Sequence, residues 1–137
     1  MRIERFDHVV LNVRDIAAAA TWYERVLGMQ RSEFVPGRPG AAPRIALGFG
    51  DQKINLRPID ADPTEWNTAA RPVAGSDDLC FITTASPQET IAHLRACGVT
   101  VVEGPVAKRG ALGPMTSVYC RDPDGNLIEI ASYPERN

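Results

Sequence analysis

Four polar side chains stand in segments apolar enough to be buried strands. His8 lies in Phe6-Asp7-His8-Val9-Val10, Asn55 in Ile54-Asn55-Leu56, Asp78 just ahead of Leu79-Cys80-Phe81-Ile82, and Glu129 in Leu127-Ile128-Glu129-Ile130-Ala131. A polar group at a core-facing strand position needs a hydrogen-bond partner or a metal, because its lost hydration is otherwise uncompensated. Taken singly, His8 also reads as a hydrogen-bonded core histidine and Asp78 as the end of a loop. Glu129 resists such a reading, with apolar residues on both sides. One neutral imidazole with two carboxylates neutralises a divalent ion and leaves positions open for substrate oxygens or water. A set this rich in oxygen suits Fe(II) or Mn(II) at least as well as Zn(II), with Ni(II) also within range.

The elements that must position these residues are legible as an internal repeat. Phe6-Asp7-His8 opens a strand that turns into a helix ending at Gly28, and Asp77-Asp78-Leu79 opens the same sequence of elements ending at Gly98. The interval from His8 to Gly28 equals that from Asp78 to Gly98, so the two copies keep register without a gap. Asp15 can cap the first helix, whose apolar positions Ile16, Ala19, Ala20, Tyr23, Val26 and Leu27 recur at helical spacing. Ser86, Pro87 and Glu89 form a capping-box pattern for the second. Three strands are expected after each glycine: Met29–Val35, Arg44–Gly48 and Gln52–Pro58, then Thr100–Val106, Met115–Cys120 and Leu127–Ser132. Ile59–Asp77, which carries Trp66, and the glycine- and proline-rich Glu103–Met115 read as long irregular connections, either plain surface or ligand-covering. The expected fold is α+β: two tandem βαβββ modules, about residues 1–58 and 77–134, forming a curved mixed-sheet cleft in a single domain over 1–137. Pairing of equivalent strands about a pseudo-twofold axis is expected to bring His8, Asn55, Asp78 and Glu129 into that cleft.

Composition narrows the partners. A chain of 137 residues with a net charge of -2, and no basic run longer than Lys108-Arg109, argues against nucleic acid and for a small-molecule ligand. No stretch approaches the roughly 20 apolar residues of a membrane helix, and the first residues read directly into a strand. Three widely spaced cysteines, Cys80, Cys97 and Cys120, suggest reduced thiols buried as filler in a cytoplasmic protein. Among secondary candidates, Arg57 shares the strand face of Asn55 and can reach a substrate oxygen or lie solvated at the strand end. Trp66 can stack on a ligand or cover the core, and Met115 can line an apolar pocket. No phosphate-binding glycine loop, Ser/His/Asp set or CxxC pair is present, which removes nucleotide hydrolysis and acyl transfer.

Three segments, F-D-H-V-V-L-N-V, W-Y-E-R-V-L-G-M and D-P-D-G-N-L-I-E-I, resemble the vicinal oxygen chelate superfamily, which groups glyoxalases, bleomycin-resistance proteins and dioxygenases. The segments G-D-Q-K-I-N-L, G-S-D-D-L-C-F-I-T and G-A-L-G-P-M-T-S are further similar to a subgroup of short glyoxalase-domain proteins and to small iron-dependent dioxygenases acting on aromatic polyketides. The resemblance implies metal ligands on the first and last strands of each module. His8 and Glu129 match that pattern, whereas Asp78 replaces the usual histidine and Asn55 the usual glutamate or glutamine. The implied set is His8, Asp78 and Glu129 on the metal, with Asn55 facing substrate alongside Arg57, Trp66 and Met115. The departures point away from glutathione-dependent glyoxalase I and also from extradiol dioxygenases with two histidines and one glutamate, while leaving a site of three protein ligands. The implied activity is a dioxygenase binding two neighbouring oxygens of an aromatic or quinone-like substrate at Fe(II), with Mn, Zn or Ni as other ions for the site. The alternatives are a glyoxalase-type isomerase or lyase, in which Glu129 moves a proton, and a metal-free drug-binding resistance protein. A homodimer is also implied.

Overall fold

The structure, a computed structural model, describes residues 1–134. The chain divides into two compact units, Met1–Gly75 and Ser76–Asn137. In the first, the order is β1 (His8–Val13), α1 (Ile16–Leu27), β2 (Gln30–Phe34), β3 (Arg44–Phe49) and β4 (Gln52–Pro58). Its sheet runs β1-β4-β3-β2, with β1 parallel to β4 and the other neighbours antiparallel. In the second, β5 (Asp78–Ile82), α2 (Pro87–Ala96), β6 (Glu103–Gly110), β7 (Gly113–Arg121) and β8 (Leu127–Ser132) form a sheet of order β5-β8-β7-β6. Here too the first strand runs parallel to the last. The architecture is the expected α+β arrangement of two βαβββ motifs with mixed sheets.

The helix ends are set by the residues that the sequence singles out. Asp15 Oδ1 accepts a 2.9 Å bond from Ala18 N, satisfying one of the N–H groups that a helix start leaves without a partner. Gly28 closes α1 at φ 66°, in the left-handed region. In α2 the capping box is reciprocal: Glu89 N donates to Ser86 Oγ at 3.2 Å, and Ser86 N donates to Glu89 Oε2 at 2.8 Å. Each helix packs on its own sheet. Ala19, Ala20, Tyr23 and Val26 are buried on α1, and Leu11, Val13, Leu47, Ile54 and Leu56 are buried on the strands. Leu94 of α2 is buried in the same way, as are Val118, Cys120, Ile128 and Ile130 of its sheet. Full burial of one such large side chain contributes roughly 1.5–3 kcal/mol.

The second long connection is not irregular. Glu103–Met115 folds as the β6–β7 hairpin, closed by the Gly110–Gly113 pair, and the strand expected from Thr100 begins at Glu103 instead. Glycine and proline signal a loop, but β6 is an edge strand, where a proline's missing N–H costs no ladder bond. A register shift between Glu103 and Val106 accommodates Gly104-Pro105. Gly104 is required there: at φ 119°, a Cβ would stand 2.6 Å from the Ser117 carbonyl oxygen. The first connection, Ile59–Asp77, contains no helix or strand, as expected.

The D-P-D-G-N turn is a buried polar lock. Asn126 is fully buried; its Nδ2 donates to Asp122 Oδ2 at 2.7 Å and its Oδ1 accepts from Asp77 N at 2.9 Å. Asp122 Oδ1 also accepts from Asn126 N at 2.9 Å and Asp124 N at 3.0 Å, while Leu127 N donates to Asp77 O. The turn thereby fixes the start of β5 beside the start of β8. Asn126→Ala leaves a buried donor and acceptor unmatched and is expected to destabilise the fold by about 2 kcal/mol in urea unfolding. Asp77 itself is strained electrostatically: partial burial, and then the Asp122 charge, push its carboxyl above the ordinary range. A raised folded pKa means that the folded state prefers the protonated acid, so ionisation of Asp77 opposes folding as pH rises. Asp77→Asn is therefore expected to raise the unfolding midpoint at neutral pH, with the gain vanishing as pH falls below the unfolded carboxyl range.

Candidate functional site

Strand alternation gives each sheet one face toward its helix and one away from it. In the first unit the face away from α1 carries His8, Val10 and Asn12 of β1, Lys53, Asn55 and Arg57 of β4, and Arg44 of β3. In the second, the face away from α2 carries Asp78, Cys80 and Ile82 of β5, Glu129 of β8, and Met115, Ser117 and Tyr119 of β7. The ladders match step for step: Val10 pairs with Asn55 as Cys80 pairs with Glu129, and His8 with Lys53 as Asp78 with Leu127. The repeat thus holds at the level of individual strand registers.

His8 is exposed rather than core-facing, its side chain 43% accessible, because β1 is an edge strand and the parity that buries Leu11 and Val13 turns His8 the other way. Its Nδ1 donates to Asp7 Oδ1 at 2.7 Å, leaving Nε2 as the available lone pair. A carboxylate fixing one ring nitrogen in this way orients the other for a metal. The same bond, helped by the nearby Arg5 and Lys53 charges, holds the Asp7 carboxyl below its ordinary range. Asn55 is 7% exposed, and its Oδ1 is buried with no hydrogen-bond partner among the described residues.

In the second unit Glu129 is the centre of a polar cluster. Ser117 Oγ donates to its Oε1 at 2.5 Å, and the Tyr119 hydroxyl and Cys80 thiol lie within the influence of its charge. Burial first, and then Glu129, push the Tyr119 hydroxyl up to about 12. The Cys80 thiol rises to about 11 from partial desolvation, then Glu129, then Asp78, so Cys80 lies within the influence of both acids. Cys80 is exposed and Cys97 intermediate, so only Cys120 is the buried filler expected of all three; Cys80 lies on the edge strand β5, on the face away from α2. Met115 is 8% exposed, and its Sδ, with the Tyr133 hydroxyl, occupies the space over Gly110.

Arg57 is neither solvated nor at a free strand end. It is 1% exposed, with Nε donating to Trp66 O at 3.2 Å, Nη1 to Asn12 Oδ1 at 2.9 Å and Pro58 O at 3.2 Å, and Nη2 to Ala61 O at 2.6 Å. Asn12 Nδ2 in turn donates to Thr68 Oγ1 at 3.4 Å. The Ile59–Asp77 connection is therefore laid over the Asn12–Arg57 end of the sheet face. Trp66 is half-buried, with the Arg44 guanidinium 3.7 Å and that of Arg57 5.9 Å from its ring centroid. Asp7, Asn12, Arg44, Ser117 and Tyr119 were not singled out by sequence reasoning. The strand parity shared with His8, Arg57 or Glu129 was the available signal for the last four.

Donor chemistry on both faces fits a divalent ion: an oriented imidazole, a partnerless amide oxygen and two carboxylates. They stand as two half-sets, His8 and Asn55 in one unit, Asp78 and Glu129 in the other. Among the described residues no group of three or more His, Cys, Asp or Glu side chains is gathered to hold a metal.

Comparison with known proteins agrees with the fold. The chain is 44% identical over 135 residues to the virulence protein STM3117 of Salmonella typhimurium, covering 97% of this chain and 87% of that protein. It is 41% identical over 137 residues to the glyoxalase domain-containing protein RDO1 of Mycosarcoma maydis, covering 98% and 72% respectively. An integron cassette protein from the mobile metagenome of V. Cholerae superposes with a TM-score of 0.89 at 46% identity, covering 98% of both chains. The profile of the Glyoxalase/Bleomycin resistance protein/Dioxygenase superfamily matches residues 5–130, and the chain belongs to that superfamily.

Proposed function

We propose that this protein is a metal-dependent enzyme acting on a small molecule that offers two neighbouring oxygen atoms, with His8, Asp78 and Glu129 as the metal ligands. The observation that carries the reading is the Asp7–His8 bond of 2.7 Å, which sets the tautomer that leaves Nε2 for a metal. The register-matched placement of Glu129, with Ser117 holding its carboxylate, supports it. A divalent ion bound by this set would act as a Lewis acid on the paired substrate oxygens. Asp7 keeps the His8 ring in one orientation, and Glu129 is the group able to accept or return a proton at its carboxylate. Asn55 Oδ1 accepts a bond from a substrate hydroxyl, while Arg57, Trp66 and Met115 shape the walls around the substrate.

Within this reading the reaction is oxidative cleavage of an aromatic or quinone-like substrate, polyketides included, by a dioxygenase using Fe(II). Dioxygen is the oxidant and both of its atoms enter the product. The oxygen-rich ligand set suits iron at least as well as zinc. The same reading places the protein in the cytoplasm as a homodimer, without nucleic-acid or membrane partners. No helix is long and apolar enough to cross a membrane among the described residues. Oxygen uptake by iron-loaded protein with catechol and quinol substrates tests it. Turnover of a hemithioacetal without oxygen uptake would transfer the assignment to an isomerase or lyase, and tight glycopeptide binding by metal-free protein to a resistance protein.

A further inference from the structure

The face of the first unit away from α1 holds three cations, Arg44, Lys53 and Arg57, and among the described residues none of them makes an ion pair with a carboxylate. Asp7, whose carboxyl the Lys53 charge reaches, is bonded to His8. One ladder step beyond the Ile45–Leu56 pair, Arg44 of β3 faces Arg57 of β4 across the same face. Like charges directly opposite on neighbouring strands repel, and a buried charge without a counter-ion is costly. That repulsion registers at Arg44, whose guanidinium is pushed below its ordinary range by burial and then by the Arg38 and Arg57 charges.

The two guanidinium groups are not equivalent. Arg57 spends its N–H groups on four neutral acceptors, so it contributes a fixed positive field and little free donor capacity. Arg44 lies over the Trp66 ring and donates to no acceptor among the described residues, which leaves its planar fork open. Two positions before Arg57 on the same strand face, Asn55 Oδ1 is buried and lacks a donor. Two positive charges without an anion and one acceptor without a donor thus lie on adjoining positions of one face. A carboxylate answers the first, pairing side by side with the Arg44 fork, and a hydroxyl beside that carboxylate answers the second.

We propose that Arg44 and Asn55, in the field of Arg57, form a subsite for a small acid bearing a hydroxyl next to its carboxylate. This deepens the reading that these faces take a small-molecule substrate, naming the acid class of that substrate and Arg44 as the residue selecting it. Arg44 is the anchor because its donors are free. Trp66 holds the guanidinium in place, and the Arg57 charge strengthens attraction without moving.

The test uses metal-free, EDTA-treated full-length protein and titration calorimetry, so that it is independent of turnover. Mandelate serves as the hydroxy-acid probe, phenylacetate as the acid without the hydroxyl, mandelamide as the neutral analogue and inorganic phosphate as the competing anion. Saturable mandelate binding is expected, at least tenfold weaker in Arg44→Gln and at least tenfold weaker for mandelamide. The preference for mandelate over phenylacetate is expected to disappear in Asn55→Ala. Near-UV circular dichroism and a thermal melt establish that both variants are folded, and the Trp66 indole N–H resonance, assigned through Trp66→Phe, locates the site. Absence of saturable mandelate binding, or wild-type binding by Arg44→Gln, overturns the proposal. Phosphate binding more tightly than mandelate overturns the carboxylate assignment. Retained mandelate binding with no oxygen uptake would sink only the catalytic reading; lost binding beside intact turnover of an uncharged substrate would sink only this one.

Discussion

Glu129→Ala is expected to abolish stoichiometric metal binding in anaerobically purified protein, and His8→Ala to do the same. Removing a residue that merely orients a ligand typically lowers metal affinity about 10–100-fold, and removing the ligand itself should exceed that. Asp7→Asn supplies the graded case, since an amide is a weaker acceptor for the Nδ1 proton and affinity should fall within that 10–100-fold range. The variants also separate metal loss from unfolding. His8 is exposed at an edge strand, so its truncation should change stability by no more than about 0.5 kcal/mol. Glu129 is different, because Ser117 is fully buried and would be left without its acceptor. Glu129→Gln retains an oxygen for Ser117 while removing the charge, and is expected to stay folded and still lose the metal. Elemental analysis of the purified variants beside their urea midpoints decides the matter. Iron at one per chain, lost in both alanine variants, supports the oxidative reading. A different divalent ion lost in the same way moves the assignment toward an isomerase or lyase. Metal retained by both variants removes these residues from the ligand set.

Arg57→Met is expected to cost about 3–5 kcal/mol of stability, the largest effect of any single substitution outside the apolar core. Methionine fills most of the space but donates nothing, so the carbonyls of Pro58, Ala61 and Trp66 and the Asn12 amide oxygen lose their donor together. A buried acceptor left without a partner costs roughly 1–3 kcal/mol, and relaxation of the connecting segment keeps the total below the simple sum. Arg57→Lys keeps the charge but not the planar fork, and should recover less than half of the loss. Local opening provides a second readout. The Ile59–Asp77 segment contains no helix or strand, and Arg57 ties it to the sheet through Ala61 and Trp66. Limited proteolysis should therefore cut near residues 60–70 much faster in Arg57→Met than in the wild type. Equal cleavage rates and an unchanged urea midpoint would show that the segment is held by other contacts.

Much of the fold was legible because its signals are local. The caps at Asp15 and Ser86, the left-handed Gly28 and the bounds Gln52–Pro58 and Leu127–Ser132 follow from backbone conformation and short-range hydrogen bonding. The equal intervals of the repeat carried over into equal strand registers, since one residue of slip would have turned every side chain to the opposite face. The β6–β7 hairpin was missed for the complementary reason. Glycine and proline report on what a backbone tolerates locally, whereas the edge position that makes Pro105 harmless is set by which strand has a neighbour. His8 and Cys80 were misjudged as buried on the same account, because an apolar segment does not announce which of its two faces the helix covers.

The amino-acid sequence by itself determined the superfamily, the two βαβββ motifs and the identity of the polar residues on their strands, all of which depend on patterns within a few residues or on intervals along the chain. Only the tertiary structure decided the partners of those residues. It placed Ser117 against Glu129 and buried Arg57 beneath a connecting segment while leaving Arg44 open beside it. Hydrogen bonds and charge–charge repulsion act over a few ångströms in space, and chain folding brings residues as distant as Asn12 and Arg57 to that range. Spacing along a sequence carries no record of such distances.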